Sequence, residues 1–195
     1  MVKYRLTDLT NQRPAMRVPG EDALLTHHYG WMHEEVTASN LVKVSFERTN
    51  LTPQNGEATP SATEIGKRFF EADPEMNCIM HIHTKAIMGV SAQAEGMGPF
   101  SQAYLMIGGG AGIAYTDYEF ECSDDFLSGL LEAGRDKKMV VEAWRCAFVF
   151  GRNAGEAFFR SFYLTRPARC SCRCRKPPQR APPSERYGCE RLVRL

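Results

Sequence analysis

The hydrophobic and polar positions of the chain follow short runs that predict β-strands. Some runs alternate apolar and polar residues, as in a strand with one buried face, and others are continuously apolar, as in a strand buried on both faces. Each run is bounded by turn-forming or polar residues. Five such runs lie at residues 24–26, 42–46, 77–84, 139–141 and 147–150.

Capping residues and apolar periodicity between these runs predict helices. Ser61 and Glu64 have capping-box spacing, Ile65, Phe69, Phe70 and Ala72 fall on one side of that helix, and Pro74 ends it. Three more helices are predicted over residues 85–93, from Ser123 to about Ala133, and from a second capping box at Asn153 through Leu164. Strands and helices interleave irregularly, which favours an α/β layered domain with a mixed sheet.

Composition and charge narrow the class of protein. The 195 residues are 43% hydrophobic and 24% charged, which is typical of one globular domain. The net charge of +1 conceals an asymmetry, because residues 166–195 hold nine Lys and Arg against two Asp and Glu. No run reaches the ~18 apolar residues of a membrane span, and the first residues lack a signal-peptide core. We therefore predict a cytoplasmic protein that does not bind membranes.

The basic tail and the cysteines carry little specific chemistry. The tail is rich in proline and poor in apolar residues, so we predict a disordered segment and no nucleic-acid binding. Its Cys-x-Cys-x-Cys spacing at 170–174 is too tight for an ordinary zinc site, and Cys78, Cys122 and Cys146 are predicted to be buried thiols in a reducing compartment. The glycine-rich run 108–112 lacks the residues of a phosphate-binding loop, and we interpret it as a strand end or turn.

The strongest candidate for chemistry is a pair of histidines. His81 and His83 are two residues apart on a predicted strand, so both rings lie on one face and are close enough to share one cation. A catalytic zinc site uses three protein ligands and an open position. The pair therefore predicts part of a divalent-metal site, with zinc as the preferred ion.

Around these histidines the chain resembles the class II aldolase and adducin family, and its adducin-like branch most closely. The matching motifs are residues 17–22, 29–30, 36–44, Pro74 with His81 and His83, 90–92, 99–102, 115–119, and 151–152 leading into 156–158. This resemblance implies a three-layer α/β/α sandwich with a mixed, mostly antiparallel sheet over residues 1–166. It also implies a homo-oligomer, a divalent metal that stabilises an enediolate formed from a small hydroxy-carbonyl substrate, substrate binding near Tyr29 and Gly30, and cytoskeletal partners in the adducin branch.

Three departures from the family pattern affect the predicted chemistry. Arg145 stands where the resemblance implies the third metal-binding histidine, and a guanidinium cannot donate a lone pair. Ala62 stands where it implies a catalytic glutamate, and Arg13-Pro14-Ala15 replaces a substrate loop. Cys146 could supply a substitute ligand, although we favour a buried thiol that points elsewhere; His27 and His28 are weaker candidates.

We therefore predict a domain with an incomplete metal site and impaired catalysis that acts as an adducin-like self-association module. The alternative is a working metal-dependent aldolase or lyase that cleaves a carbon–carbon bond. The resemblance also implies a helix before residue 3 that is missing here. Residues 167–195 are predicted to be a separate tail, and the run 169–175 is what AGG, TGC and AGC codons encode, so we hypothesise that a frameshift replaced the family's last helix.

Overall fold

A seven-stranded sheet forms the centre of the structure, which is a computed structural model describing residues 1–119 and 122–174. The strands lie in the order β3-β2-β1-β4-β7-β6-β5, and every neighbouring pair is antiparallel except β5 and β6. The mixed, mostly antiparallel sheet predicted from the sequence is confirmed. Its strands are β1 (Ala15–Arg17), β2 (Ala23–Thr26), β3 (Val42–Ser45), β4 (Cys78–Ile82), β5 (Ile113–Thr116), β6 (Met139–Glu142) and β7 (Cys146–Gly151).

Helices cover both faces of the sheet, which confirms the α/β/α sandwich. Two helices pack on one face, where α1 contacts β1, β2 and α4, and α4 contacts β5 and β6. On the other face α5 packs against β4, β7, α2 and α3. The five helices are α1 (Pro60–Ala72), α2 (Lys85–Ser91), α3 (Gln102–Met106), α4 (Asp124–Gly134) and α5 (Ala154–Cys174).

Each face of the sheet has its own hydrophobic core. Side chains of β4 alternate between the cores, because Ile79 packs with residues of α1 and α4 while Ile82 packs with residues of α2 and α5. Phe69 of α1 lies against Phe150 of β7 with ring centroids 4.7 Å apart. Burying one such side chain stabilises the fold by roughly 1.5–3 kcal/mol. Residue 81, two positions after Ile79, is thereby directed to the face covered by α1 and α4.

The start of α1 differs from the prediction. The helix begins at Pro60 after Thr59, and Ser61 lies inside its first turn. Glu64 does not cap the helix, since its carboxylate pairs with Arg48 at 2.7 Å. A proline at the first helical position sacrifices no hydrogen bond and has a suitable φ, which explains the earlier start. Ala72, predicted to face inward, is exposed.

The other predicted helices and strands are close to the observed ones. Ser123 accepts a hydrogen bond from the Phe126 amide as predicted, and Asn153 accepts one from the Glu156 amide. The Glu156 carboxylate accepts from the Arg152 amide, so the second capping box is shifted by one residue. The glycine-rich run is a turn, as predicted: a 3₁₀ segment at Gly110–Gly112 leads into β5. Strands β1 and β5 and helix α3 were not predicted.

Helix α5 continues eight residues past position 166, the predicted end of the domain. Its last turns are packed, because the buried Ser171 hydroxyl accepts a hydrogen bond from the Gly98 amide at 3.0 Å. The predicted tail from residue 175 onward, including its cysteine at position 189, lies outside the described residues. Within residues 1–119 and 122–174 no helix has the length and apolar character needed to cross a membrane.

Candidate metal centre

Strand β4 places two imidazoles against each other at its carboxyl end. His81 is fully buried and stacks on Phe148 of β7, with ring centroids 4.7 Å apart and planes 22° from parallel. His83 lies just beyond the strand, and its Nε2 is 3.2 Å from Nε2 of His81. Two nitrogens bound to one tetrahedral zinc ion at about 2.1 Å lie roughly 3.4 Å apart. The two Nε2 atoms are close enough to hydrogen-bond to each other, and their separation is near the one that a shared ion requires.

Cys146 completes a set of three possible ligands. In the antiparallel pairing of β4 with β7, Ile82 lies opposite Ala147, so the next position, His83, lies beside Cys146. Among the described residues, His81, His83 and Cys146 form one cluster whose ligand atoms all lie within 4.8 Å of one another. The prediction of a buried thiol is confirmed, and its sulfur lies near the two histidines rather than away from them. The position of Cys146 follows from the register between β4 and β7, and the sequence alone does not reveal that register.

Burial keeps both histidines neutral. Desolvation lowers the pKa of His81 well below its ordinary value, with the His83 ring and the Arg145 charge adding to the effect. For His83, desolvation and then Arg145 lower the pKa to about 4, while Asp8 acts in the opposite direction. A neutral imidazole is the form that binds a metal. Asp8 Oδ2 lies 3.8 Å from Nδ1 of His83, near the place where a carboxylate commonly orients a metal-bound histidine.

The thiol of Cys146 is held by a buried carboxylate. Its Sγ donates to Oε2 of Glu142 at 3.0 Å, and Glu142 is completely buried. Burial and the Glu142 charge raise the pKa of Cys146 well above its ordinary value. A cation would have to displace this proton, since the thiolate is the binding form. The donor set of two imidazoles and one thiol is one that zinc accepts, so the residues fit a divalent cation of this kind.

Arg145 lies in the turn between β6 and β7. Its Nη1 donates to both carboxylate oxygens of Glu142, at 3.1 and 3.0 Å, and its guanidinium lies over the Tyr118 ring at 5.5 Å from the centroid. The preceding residue, Trp144, has φ of 54°, a left-handed conformation that closes the turn. The permanent charge of Arg145 opposes a cation beside it, and Glu142 partly compensates this charge.

A cleft of about 930 Å³ opens next to the metal centre. His83 and Arg145 lie at its wall together with Arg13, Tyr29 and Tyr118. The predicted substrate contact Tyr29 is 64% exposed and lines the cleft, whereas Gly30 forms a turn beside it with φ of +86°. A volume of this size accommodates a small metabolite with room for water.

The two weaker candidates, His27 and His28, and the position of the absent glutamate, Ala62, lie outside the ligand cluster. His28 accepts a hydrogen bond from the Glu57 amide at 2.8 Å and has no place in the cluster of possible metal ligands found in the described residues. His27 is buried with its ring 4.8 Å from that of His33. Ala62 is buried in α1, while its neighbour Ser61 lines the cleft. None of the three supplies a donor to the cluster.

We expect replacement of His27 with leucine to stabilise the protein. Both ring nitrogens of His27 are buried without a hydrogen-bond partner in the described part of the chain, so an apolar side chain of similar size removes a desolvation penalty of about 1–2 kcal/mol. Burial, followed by the charges of His33, His28 and Arg13, lowers the pKa of His27 from 6.5 to about 4. Denaturant unfolding at pH 7 measures the gain.

The same variant should also change the pH dependence of stability. The folded-state pKa of His27 is depressed, so the unfolded chain binds the proton more readily, and wild-type stability falls as pH decreases from 6.5 towards 4. His27→Leu should lose less stability across this range. Equal losses in the two proteins would contradict the assignment of this titration to His27.

A sequence model of the class II aldolase and adducin N-terminal domain matches residues 1–172. Human gamma-adducin is 33% identical over 175 residues, covering 82% of this chain and 24% of that protein. A Pseudomonas aeruginosa protein named for the class 2 aldolases is 33% identical over 112 residues, covering 57% of this chain and 42% of that protein. The chain thus spans less than half the length of these relatives.

One solved structure shares both fold and sequence with this chain. The aldolase II superfamily protein from Pseudomonas syringae superposes with a TM-score of 0.79 at 25% identity, over 87% of this chain and 69% of that chain. The observed α/β/α sandwich therefore matches a fold already known from a solved protein.

Proposed function

This chain belongs to the class II aldolase and adducin N-terminal domain family, and we propose that it is an adducin-like binding and self-association module. In this proposal the domain holds a divalent cation, preferably zinc, on His81, His83 and Cys146. Its carbon–carbon lyase activity is impaired. The proposal depends on the position of Arg145. Its guanidinium lies beside the metal centre and donates a hydrogen bond to Glu142, the only carboxylate that contacts Cys146 in the described residues.

The convergence of three donors supports metal binding. The Nε2 atoms of the two histidines are 3.2 Å apart, and both rings are neutral at pH 7. A cation held there would polarise a carbonyl or hydroxyl oxygen as a Lewis acid. In this chain His81 and His83 provide nitrogen donors, Phe148 fixes the His81 ring, and Asp8 lies beside the outer nitrogen of His83.

The residues around the centre support impaired catalysis. Ala62 has no proton-accepting group and is buried in α1, so it cannot serve as a base. Glu142 is already engaged by the Cys146 thiol and by Arg145, and it has no exposed surface from which to reach a substrate. The carboxylates of Glu57 and Glu119 line the cleft but are exposed to solvent, and neither belongs to the cluster of possible metal ligands in the described residues.

The exposed apolar surface supports self-association. Leu105 and Met106 at the end of α3 are 71% and 43% exposed, and Phe100 just before α3 is 45% exposed. Neighbouring large apolar side chains on a surface are typical of contacts between proteins. The similarity to gamma-adducin over 82% of the chain favours a partner-binding role, including a cytoskeletal partner, over a purely catalytic one.

Metal analysis combined with an aldol-cleavage assay tests the proposal. We expect about one zinc ion per chain, loss of at least tenfold in affinity in His81→Gln and Cys146→Ser, and no measurable cleavage of hydroxy-carbonyl or sugar-phosphate substrates. Cys78→Ser is the matched control, because Cys78 is a buried thiol outside the cluster. Sedimentation should show an oligomer that Leu105→Lys dissociates.

A second function, a working metal-dependent lyase, is favoured by the cleft of about 930 Å³ beside His83. The same assay separates the two. Zinc-dependent turnover that disappears in His81→Gln would establish the lyase and contradict impairment, whereas zinc binding without turnover supports the proposed module.

A further inference from the structure

Two guanidiniums line the same cleft beside the metal centre. Arg13 lies in the segment before β1, and Arg145 lies in the turn between β6 and β7, so the fold brings them together from 132 positions apart in the chain. His83 lines the same cleft as both guanidiniums. Two like charges in one partly buried cleft repel each other, and this arrangement is stable only with a compensating charge.

The acidic side chains of the described residues leave part of the positive charge of Arg13 and Arg145 without a partner. Within residues 1–119 and 122–174, Arg13 makes no hydrogen bond or ion pair with an acidic side chain, although it is only partly exposed. Arg145 bonds Glu142 through Nη1 alone, which leaves its Nε and Nη2 donors available in the same part of the chain. The carboxylates of Glu57 and Glu119 at the cleft are exposed and screened by solvent.

The lowered pKa of Arg13 agrees with a guanidinium that is partly buried beside a second positive charge. Burial is the main reason that its pKa is lowered, and the Arg145 charge adds to the effect, while Glu142 acts in the opposite direction. A guanidinium presents N–H donors in a planar fork that matches the two oxygens of a carboxylate or phosphate. Two such forks at one cleft are suited to an anion, and the cleft is large enough to hold one.

We propose that Arg13 and the free edge of Arg145 form a binding site for the oxyanion of a small ligand, a carboxylate or a phosphate, that enters the cleft beside His83. This inference rests on the proposed function and names its ligand class. The anion lies between the two guanidiniums, and a neighbouring carbonyl or hydroxyl oxygen of the same ligand then points towards His81, His83 and Cys146.

Calorimetric titration of the full chain with oxalate and, separately, with inorganic phosphate tests the inference. The titrations use protein freed of metal by dialysis, at low salt, and are repeated with one equivalent of zinc. We expect one anion per chain, bound roughly tenfold to a hundredfold more weakly by Arg13→Gln, because a charge-assisted pair of hydrogen bonds is lost. Tighter binding of oxalate than phosphate assigns the site to carboxylates, and the reverse order assigns it to phosphates.

Arg135→Gln is the matched control, since it removes the same charge from an exposed arginine whose partner is Glu132. Arg13→Lys serves if Arg13→Gln does not fold, and should weaken binding by a smaller factor because it keeps the charge and loses the fork. Equal binding by wild type, Arg13→Gln and Arg13→Lys, or no binding by wild type to either anion, overturns the inference. If anion binding depends on Arg13 but the protein binds no zinc, the anion site is supported and only the proposed metal centre is contradicted.

Discussion

Replacing Arg145 with histidine should raise the affinity of the domain for zinc by roughly a hundredfold or more, because two changes act together. The substitution removes a permanent positive charge that lies near His81 and His83 and depresses the pKa of both. It also offers an additional nitrogen donor from the turn directly before Cys146. Competition with a chelating zinc indicator at pH 7.5 measures the affinity.

Arg145→Gln separates the two contributions. Glutamine removes the charge and supplies no metal-binding nitrogen, so we expect an affinity between those of wild type and Arg145→His. If all three proteins bind zinc equally, the guanidinium neither opposes the cation nor stands at a ligand position, and the proposed cause of impaired chemistry fails. His81→Gln, measured in the same assay, gives the zinc affinity expected when one of the ligands is lost.

Much of the fold was predictable because its longer elements have strong local signals. The strands at 139–141 and 147–150 are continuously apolar, and Ser123 caps α4 as its sequence indicates. The missed elements are short. Strand β1 has three residues directly after Pro14, and α3 has five, so neither extends over enough positions to show a period. Their conformation is set by neighbouring strands and by α5.

The metal centre was half predictable for a related reason. His81 and His83 lie two residues apart on one strand, and the period of a strand places both on one face. Cys146 joins them only through the pairing of β4 with β7, a contact between segments more than 60 positions apart. The family resemblance implies a ligand at position 145, whereas burial shows that the neighbouring Cys146 is the residue directed inward.

Glu142 connects the fold to this chemistry, because its carboxylate holds both the guanidinium of Arg145 and the thiol of Cys146. Its side chain has 0% exposure and that of Arg145 has 21%. A charge pair this deeply buried stabilises little in total, yet removing one partner leaves the other unpaired at a cost of about 3–5 kcal/mol. Glu142→Gln should therefore destabilise the protein by an amount near the lower end of that range, measured by denaturant unfolding.

A double-mutant cycle with Arg145→Gln tests whether this loss comes from the pair itself. The double variant should be less destabilised than the sum of the single variants by about 2 kcal/mol, because neither partner is then left as an unpaired charge. Glu132 and Arg135 give a matched control: they are also three positions apart, and both are 70% exposed, so their coupling should stay below about 0.5 kcal/mol. Additive losses for Glu142 and Arg145 would mean that the two side chains act independently and that the carboxylate does not position the guanidinium at the cleft.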